Sequence, residues 1–453
     1  MEVSLTDIVT ALAETIGEKS VVTDHDIVSS YLTDWTGRFR GEAFCVVRPV
    51  NSKQVRDTVD LAKRFDVPLV AQGGNTGLVG GATPVKKAII LSTKLLSGIE
   101  LDHDLQLAKV GAGVTLSALN AEAQKAGLKL GVDLASRDSA TVGGMVATNA
   151  GGIHVIRYGG MRRQVLGIEA VLGNGRLISR MEGLEKDNSG FDWPSILCGS
   201  EGTLGVITQL TLKLVSVPRH RAVALVALHT LSAALAVMTE ARRRLGGLSA
   251  MEFMTSNGIE LVSNLDGAPW PFNNIPSISL LVEAAGEDDQ MEKLAYFLDS
   301  LEDVVDAVMA GDSAADGLWY WRESHTLAIS RKGVARKLDV SIPIRAIPAF
   351  VDDLTHLLEN DYQQVKPILF GHLGDGNIHV NLLDVAEGDT GIEHRIYKMV
   401  STYGGSISAE HGIGRAKVNE LALTRSQDDI ESMKSVKSAL DPASVLNPGV
   451  LFV

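Results

Sequence analysis

AQGGNTGLVGGATP, residues 71–84, is the stretch on which the reading of the fold turns. It runs straight out of a predicted strand, Pro68–Ala71. It holds five glycines, Gly73, Gly74, Gly77, Gly80 and Gly81, with Asn75 and Thr76 between them. Bare backbone amides beside small polar side chains can hold a phosphate without a lysine. No Gly-Lys-Ser/Thr follows, so this is not a Walker A loop, and the GxGxxG spacing is absent too. Two more blocks have the same character. LASRDSATVGGMVATNAGG, residues 134–152, sets Ser139, Thr141, Thr148 and Asn149 among Gly143, Gly144, Gly151 and Gly152. SILCGSEGTLGVITQLTLKL, residues 195–214, turns tightly through Gly199, Gly202 and Gly205 and continues as a strand from Val206, with Ile207 second in it. Three such loops exceed what one mononucleotide phosphate needs and suit an extended dinucleotide such as FAD.

Around these loops the chain alternates helix and strand. A strand over Phe44–Val47, a helix over Ser52–Phe65 and the strand Pro68–Ala71 make an α/β unit. Further on, Leu107–Val110 reads as a strand, Leu116–Ala126 as a helix ended by Gly127, and GIEAVLGNGRLIS as a hairpin turning on Asn174-Gly175. At 453 residues the chain is too long for one hydrophobic core and divides into two or three domains. A net charge of −13 argues against nucleic acid and anionic membrane surfaces as partners. Cys45 and Cys198 stand far apart, so neither a disulfide framework nor a thiolate metal site is expected, and a reducing, cytoplasmic setting fits. Were the source eukaryotic, the mitochondrial matrix is the alternative, although the acidic N-terminus has no transit-peptide character. The most membrane-like stretch, Ala222–Met238, contains His229, Thr230 and Ser232. It reads as a buried strand followed by a helix that is capped near Thr230 or Ser232 and ends at Gly246-Gly247.

The second half carries a different density of polar groups. FGHLGDGNIHVN, residues 370–381, places His372 and His379 either side of a Gly-Asp-Gly turn. Ile378–Leu382 alternates as a strand does, so His379 and Asn381 share a face, and a sharp turn can fold His372 back toward it. SAEHGIGRAK, residues 408–417, then sets Glu410 beside His411. Two imidazoles and a carboxylate make a three-ligand metal site with open positions, zinc being the first choice. Strands at Ala222–Leu228 and Ser277–Glu283, each followed by a helix, suggest an antiparallel sheet with helices on one face. Arg322 and Thr326, four apart, are expected on one helix face, with Lys337 just before the strand Leu338–Ile342.

GGNTGLVGG, SATVGGMVATNAGG and GSEGTLGVIT resemble the three flavin-contacting loops of the p-cresol methylhydroxylase (PCMH)/vanillyl-alcohol oxidase superfamily. GHLGDGNIHVN and AEHGIGRAK narrow the resemblance to the D-2-hydroxy acid dehydrogenases, the group acting on D-lactate, glycolate and D-2-hydroxyglutarate. The resemblance implies an α+β chain. Its parts are a PCMH-type FAD-binding domain over residues 1–220, an antiparallel-sheet substrate domain with helices over 221–400, and a short segment, 401–453, returning to the flavin. It implies noncovalent FAD on Gly73, Gly74, Asn75, Thr76, Gly77, Gly80, Gly81, Ser139, Gly143, Gly144, Thr148, Asn149, Gly151, Gly202, Ile207 and Asn447. Arg322, Thr326 and Lys337 match the spacing with which the D-2-hydroxyglutarate members bind substrate carboxylates. Asn381 would orient metal or substrate, and His411 would be the general base.

The expected activity is therefore FAD- and metal-dependent oxidation of a D-2-hydroxy acid, a dicarboxylate such as D-2-hydroxyglutarate first, to the 2-oxo acid. A D-lactate or glycolate dehydrogenase is the alternative, and an electron-carrying flavoprotein subunit without its own substrate a more remote one. The expected partners are the small hydroxy acid and an electron acceptor: an electron-transfer flavoprotein, a quinone or a cytochrome. Nucleic acid and a transmembrane segment are not expected, and a homodimer is left open.

Overall fold

The computed structural model describes residues 5–389 and 391–452. The chain forms two compact units. The first is Met1–Gly152, Tyr158–Val217 and Glu410–Val453, and the second is Ile153–Arg157 and Pro218–Ala409.

The first unit holds two sheets. The smaller is four-stranded, in the order β1 (Val21–Val22), β2 (Ala43–Val47), β4 (Ala88–Ser92), β3 (Leu69–Gln72). β2 and β3 both run parallel to β4, and β1 pairs antiparallel with β2. The crossover from β2 to β3 is the helix Ser52–Phe65, as its pattern predicts. Asn51 caps its start by accepting the Gln54 N–H at 3.0 Å, and Asp66 ends it in the left-handed region at φ 51°. Val55, Val59 and Ala62 recur at helical spacing and are fully buried against the strands.

The second sheet is antiparallel: β5 (Ile99–Asp102), β6 (Leu107–Gly111), β10 (Gly205–Ser216), β8 (Val165–Leu172), β9 (Leu177–Arg180), with β7 (Leu128–Leu130) also on β10. Its central strand β10 emerges directly from the third glycine block. The hairpin β8–β9 turns where expected, with Gly175 at φ 85°.

The second unit is built on seven antiparallel strands. Their order is β14 (Asp306–Gly311), β11 (His220–Leu228), β13 (Ile278–Gly286), β12 (Leu248–Thr255), β16 (Lys366–His372), β17 (Asn377–Leu383), β15 (Arg336–Ser341). The helix after β11 is Leu231–Arg244, and Thr230 caps it by accepting the Ala233 N–H at 3.1 Å. Helices cover both faces of this sheet, where the sequence suggested one. Val223, Leu225 and Leu281 pack with Trp319, Trp321 and Ile329 on one side. Ala224, Val226, Leu280 and Val282, pointing the other way, are equally buried beneath the helices Leu231–Arg244 and Gln290–Asp299. The physical reason lies in the strands: β11 is apolar from Ala222 to Leu228, and β13 is apolar on both faces apart from Ser279 and Glu283, a composition that needs cover on both sides.

The helix expected to carry Arg322 and Thr326 together is also different. It is two helices, Asp316–Glu323 and His325–Lys332, meeting at Ser324. The His325 ring takes the Trp321 carbonyl at 2.8 Å, a side-chain bond competing with the backbone ladder at the joint. Arg322 is consequently buried and Thr326 exposed.

One buried acid knits this unit. Glu283 accepts from Arg221 Nε at 2.7 Å, Ser249 Oγ at 2.6 Å, Trp319 Nε1 at 2.9 Å and lies 3.0 Å from His154 Nε2. Burial pushes its carboxyl up, but the bonds and charges of His154 and Arg221 outweigh that and hold it well below the usual carboxylate range. A folded-state pKa depressed in this way stabilises the fold above the unfolded value of about 4.3 and stops doing so as pH falls through the folded value. Glu283→Gln is expected to lower stability at pH 7 by on the order of 3 kcal/mol. Calorimetric melts across pH should show that gap closing in acid; a gap constant with pH would contradict the assignment.

Candidate active site

The three glycine blocks of the first unit converge on one cleft of about 990 Å³ of open space, its mouth included. Close approach explains the glycines. A Cβ on Gly74 would stand 1.9 Å from the Ser139 carbonyl oxygen, and one on Gly143 would stand 2.6 Å from the Ala112 methyl. Both would prise the loops apart. Gly77 differs, because a Cβ there would meet no protein atom within 4 Å. The open space beside Gly77 is what a ligand lying on bare backbone requires, and the cleft fits FAD on that ground.

Of the residues expected to hold FAD, Gly73, Gly74, Asn75, Thr76, Gly77 and Gly81 line the cleft, joined by Gly143, Gly144, Thr148, Gly202 and Ile207. Gly80, Ser139, Asn149, Gly151 and Asn447 are not among its lining residues. Gly80 has φ 70° against the Phe39 ring, and the Ser139 carbonyl backs Gly74. Asn149 accepts the Arg162 N–H at 3.1 Å, and Asn447 ties two loops together by donating to Gly81 O and Glu201 O, each at 2.8 Å. His411 does line the cleft. Glu410 accepts the Gly152 N–H at 2.7 Å, joining the C-terminal loop to the second glycine block.

A residue not anticipated, Glu201, also lines the cleft. Its two oxygens accept Ile413 N at 2.8 Å and Gly414 N at 2.7 Å, and burial pushes its carboxyl up against those bonds and Lys417. An acid alone inside a glycine-rich loop was the available signal.

In the second unit the strand register gathers the polar groups. Glu252 on β12, His372 on β16, Asn377 on β17 and Ser341 on β15 form one cross-strand row. Met254, Phe370, His379 and Asp339 form the next, and Ile368, Asn381 and Lys337 the one after. Alternate residues of a strand share a face, so all three rows present to the same side. The His372 and His379 rings are 5.2 Å apart, nearly perpendicular, as the folded-back turn requires. Arg322 comes down from its helix, donates Nε to Glu252 at 2.7 Å and lays its guanidinium 4.6 Å from the Phe370 ring centre. His372 Nδ1 is 2.7 Å from the other Glu252 oxygen, and His379 Nδ1 is 3.5 Å from Asp339.

The electrostatics follow from this packing. Burial pushes the Glu252 carboxyl up, but the charges of His372 and Arg322 and their hydrogen bonds hold it at about 2. Burial drives His379 toward its neutral form, partly opposed by the neighbouring Asp339 carboxylate. A neutral imidazole is the form that ligates a metal. His325, its ring centre 4.7 Å from that of Phe370 and tilted 48° to it, is held neutral mainly by burial, at about 3.

The structure thus brings together Arg322, His372, His379, Asn381 and Lys337 on one sheet face, with Lys337 at its exposed margin and Thr326 exposed on the neighbouring helix. Among the described residues no three His, Cys, Asp or Glu side chains gather as a metal cage would demand. Glu252, Asp339 and Asn377 escaped sequence reasoning. Asn377 has both side-chain polar atoms buried without a hydrogen-bond partner among the described residues. The alternation that singled out Asn381 also picks out Asn377, and a lone Glu in the apolar run of β12 was the signal for Glu252.

A model of the FAD binding domain matches residues 43–179, and one of the C-terminal domain of FAD linked oxidases matches residues 217–451. The mitochondrial D-2-hydroxyglutarate dehydrogenase of Arabidopsis thaliana is 37% identical over 449 residues, covering 96% of this chain and 79% of the relative. The D-2-hydroxyglutarate dehydrogenase of Xanthomonas citri pv. viticola is 37% identical over 436 residues, covering 93% and 92%. This chain belongs to the FAD-linked D-2-hydroxy acid dehydrogenases.

Among solved structures, 4-ethylphenol oxidase from Gulosibacter chungangensis aligns with TM-score 0.74 at 17% identity, covering 100% of this chain and 98% of that one. For p-cresol methylhydroxylase the values are 0.74 and 15%, with 98% and 96% covered. These likenesses show the fold, PCMH-type as expected. No helix among the described residues is long and apolar enough to cross a membrane.

The cleft predicts a separable effect at Gly77. Gly77→Ala should leave the melting of the flavin-free protein unchanged while weakening FAD binding, read by flavin fluorescence titration. Unaltered affinity would mean that the cofactor does not lie against that loop.

Proposed function

We propose that the chain oxidises D-2-hydroxyglutarate, or a closely related dicarboxylic D-2-hydroxy acid, to the 2-oxo acid. The carrying observation is the buried guanidinium of Arg322, anchored through Nε and sharing a sheet face with two histidines, Asn381 and Lys337. Anchoring at Nε leaves the two terminal nitrogens to grip a carboxylate as a planar fork. Lys337, at the rim of the same face, is placed to meet a second carboxylate, which lactate and glycolate lack. The names of the Arabidopsis and Xanthomonas relatives support the same substrate.

Bound FAD supplies the two-electron acceptor for the hydrogen on the substrate carbon. The hydroxyl proton goes to His411, the general base, a role worth roughly 10²–10⁴-fold where it applies. His372, His379 and Glu410, the three ligands named by the sequence pattern, would hold a divalent cation, zinc first. A cation held there would make the hydroxyl more acidic. Arg322 and Asn381 fix the substrate so that one face of its carbon is presented, which accounts for selection of the D enantiomer. Electrons then leave to an external acceptor, of which an electron-transfer flavoprotein, a quinone and a cytochrome are the candidates.

Anaerobic mixing with 2-hydroxy acids tests the substrate. D-2-hydroxyglutarate should bleach the flavin fastest, ahead of D-lactate and glycolate, with the L enantiomer inert; D-lactate in the lead would move the chain to the lactate branch. Lys337→Ala should raise KM for D-2-hydroxyglutarate more than for D-lactate, and equal changes would remove its part in choosing a dicarboxylate. His372→Ala should abolish turnover with FAD still bound, whereas near-normal turnover would exclude His372 from the chemistry.

A further inference from the structure

Glu252 is fully buried in β12 between Met251 and Phe253, an apolar setting in which an ionised carboxylate is costly unless both oxygens are satisfied. Both are. Oε2 accepts from Arg322 Nε and Oε1 from His372 Nδ1, each at 2.7 Å. The contact with His372 is a consequence of register, since the two residues stand directly across the β12–β16 pair. Stability alone is a weak reason to keep a buried ion pair, because well-packed apolar side chains serve a core as well. What apolar side chains cannot do is orient two functional groups at once.

We propose that Glu252 is a positioning residue that sets the substrate clamp and the histidine pair together. The inference rests on reading Arg322 as the carboxylate clamp and His372 as a metal ligand. A carboxylate only accepts, so His372 carries a hydrogen on Nδ1, which makes Nε2 its metal-binding nitrogen whenever the ring is neutral. By occupying Nε, the same carboxylate fixes the guanidinium with its two-nitrogen end directed away from Glu252. Asp339 stands behind the second ring at longer range: it lies directly across from His379 on β15–β17, with Oδ1 3.5 Å from Nδ1, an ion-pair distance and not the 2.7 Å hydrogen bond of Glu252 to His372. Carboxylates behind ligating imidazoles fix ring orientation in this way, and their loss weakens metal binding roughly 10–100-fold.

Glu252→Gln offers an amide NH₂ where one of the two donors needs an acceptor, so it should damage both functions. In the FAD-loaded protein, zinc affinity measured by competition with a chromophoric chelator should fall on the order of 10–100-fold. KM for D-2-hydroxyglutarate should rise in the same variant. ¹⁵N-histidine spectra of the metal-free holoprotein should show His372 protonated at Nδ1 in the wild type and a tautomer mixture in the variant. Asp339→Asn, which leaves the Arg322 anchor intact, should weaken zinc binding with little change in KM. Wild-type zinc affinity together with an unchanged His372 tautomer in Glu252→Gln would overturn the proposal. A wild-type protein that binds no zinc would instead sink the metal reading above, and the tautomer, recorded without metal, would still decide the role of Glu252. Should Glu252→Gln lose its flavin or melt early, the wild-type tautomer and Asp339→Asn carry the test: Nε2-protonated His372, or wild-type zinc affinity in Asp339→Asn, counts against it.

Discussion

Strand register across β12, β16, β17 and β15 is the constraint that places the second unit's buried polar groups. Side chains alternate along a strand, so slipping β16 by one residue would turn His372 and Phe370 to the opposite face and bring Gly371 and Leu373 in their place. The pairing holds because the alternate residues, Leu369 on β16 with Ile378 and Val380 on β17, are buried on the far side. Apolar packing on one face therefore determines where two imidazoles, two amides and two acids stand on the other. The hairpin 373–376 is anchored by the fully buried Leu373, by Gly374 N–H donating to Met251 O and by Arg242 donating to Gly374 O.

Steric exclusion plays the corresponding part in the first unit. Its loops are held by backbone contacts too close for any side chain: Gly74 against Ser139, Gly143 against Ala112, Gly414 against Val79. Glu201 and Asn447 then lace the loops with hydrogen bonds to main-chain groups. Selective loss of side chains leaves backbone lining the cleft, to which β3 adds Ala71 and β10 adds Val206 and Ile207.

Much of this was readable beforehand, for identifiable reasons. Loop glycines, the capped helix Ser52–Phe65 and the alternation of Ile378–Leu382 are local signals, and each appears in the structure within a residue or two of its expected limits. Groups whose role depends on partners distant in sequence were not readable. Glu252 meets His372 across 120 residues, and nothing local says that a Glu in an apolar strand has an arginine and a histidine waiting. Helices on both faces of the second sheet, and the break at Ser324 that separates Arg322 from Thr326, are tertiary choices that override a local pattern.

We propose that one face of one sheet, set by one register, carries groups that would receive the hydroxy acid and a metal. Anomalous diffraction at the zinc edge from crystals of the FAD-loaded protein grown with zinc tests it most directly. The account predicts a single strong peak about 2.0–2.1 Å from a ring nitrogen of both His372 and His379. Zinc bound elsewhere, or density showing the two rings on opposite faces of the sheet, would contradict it.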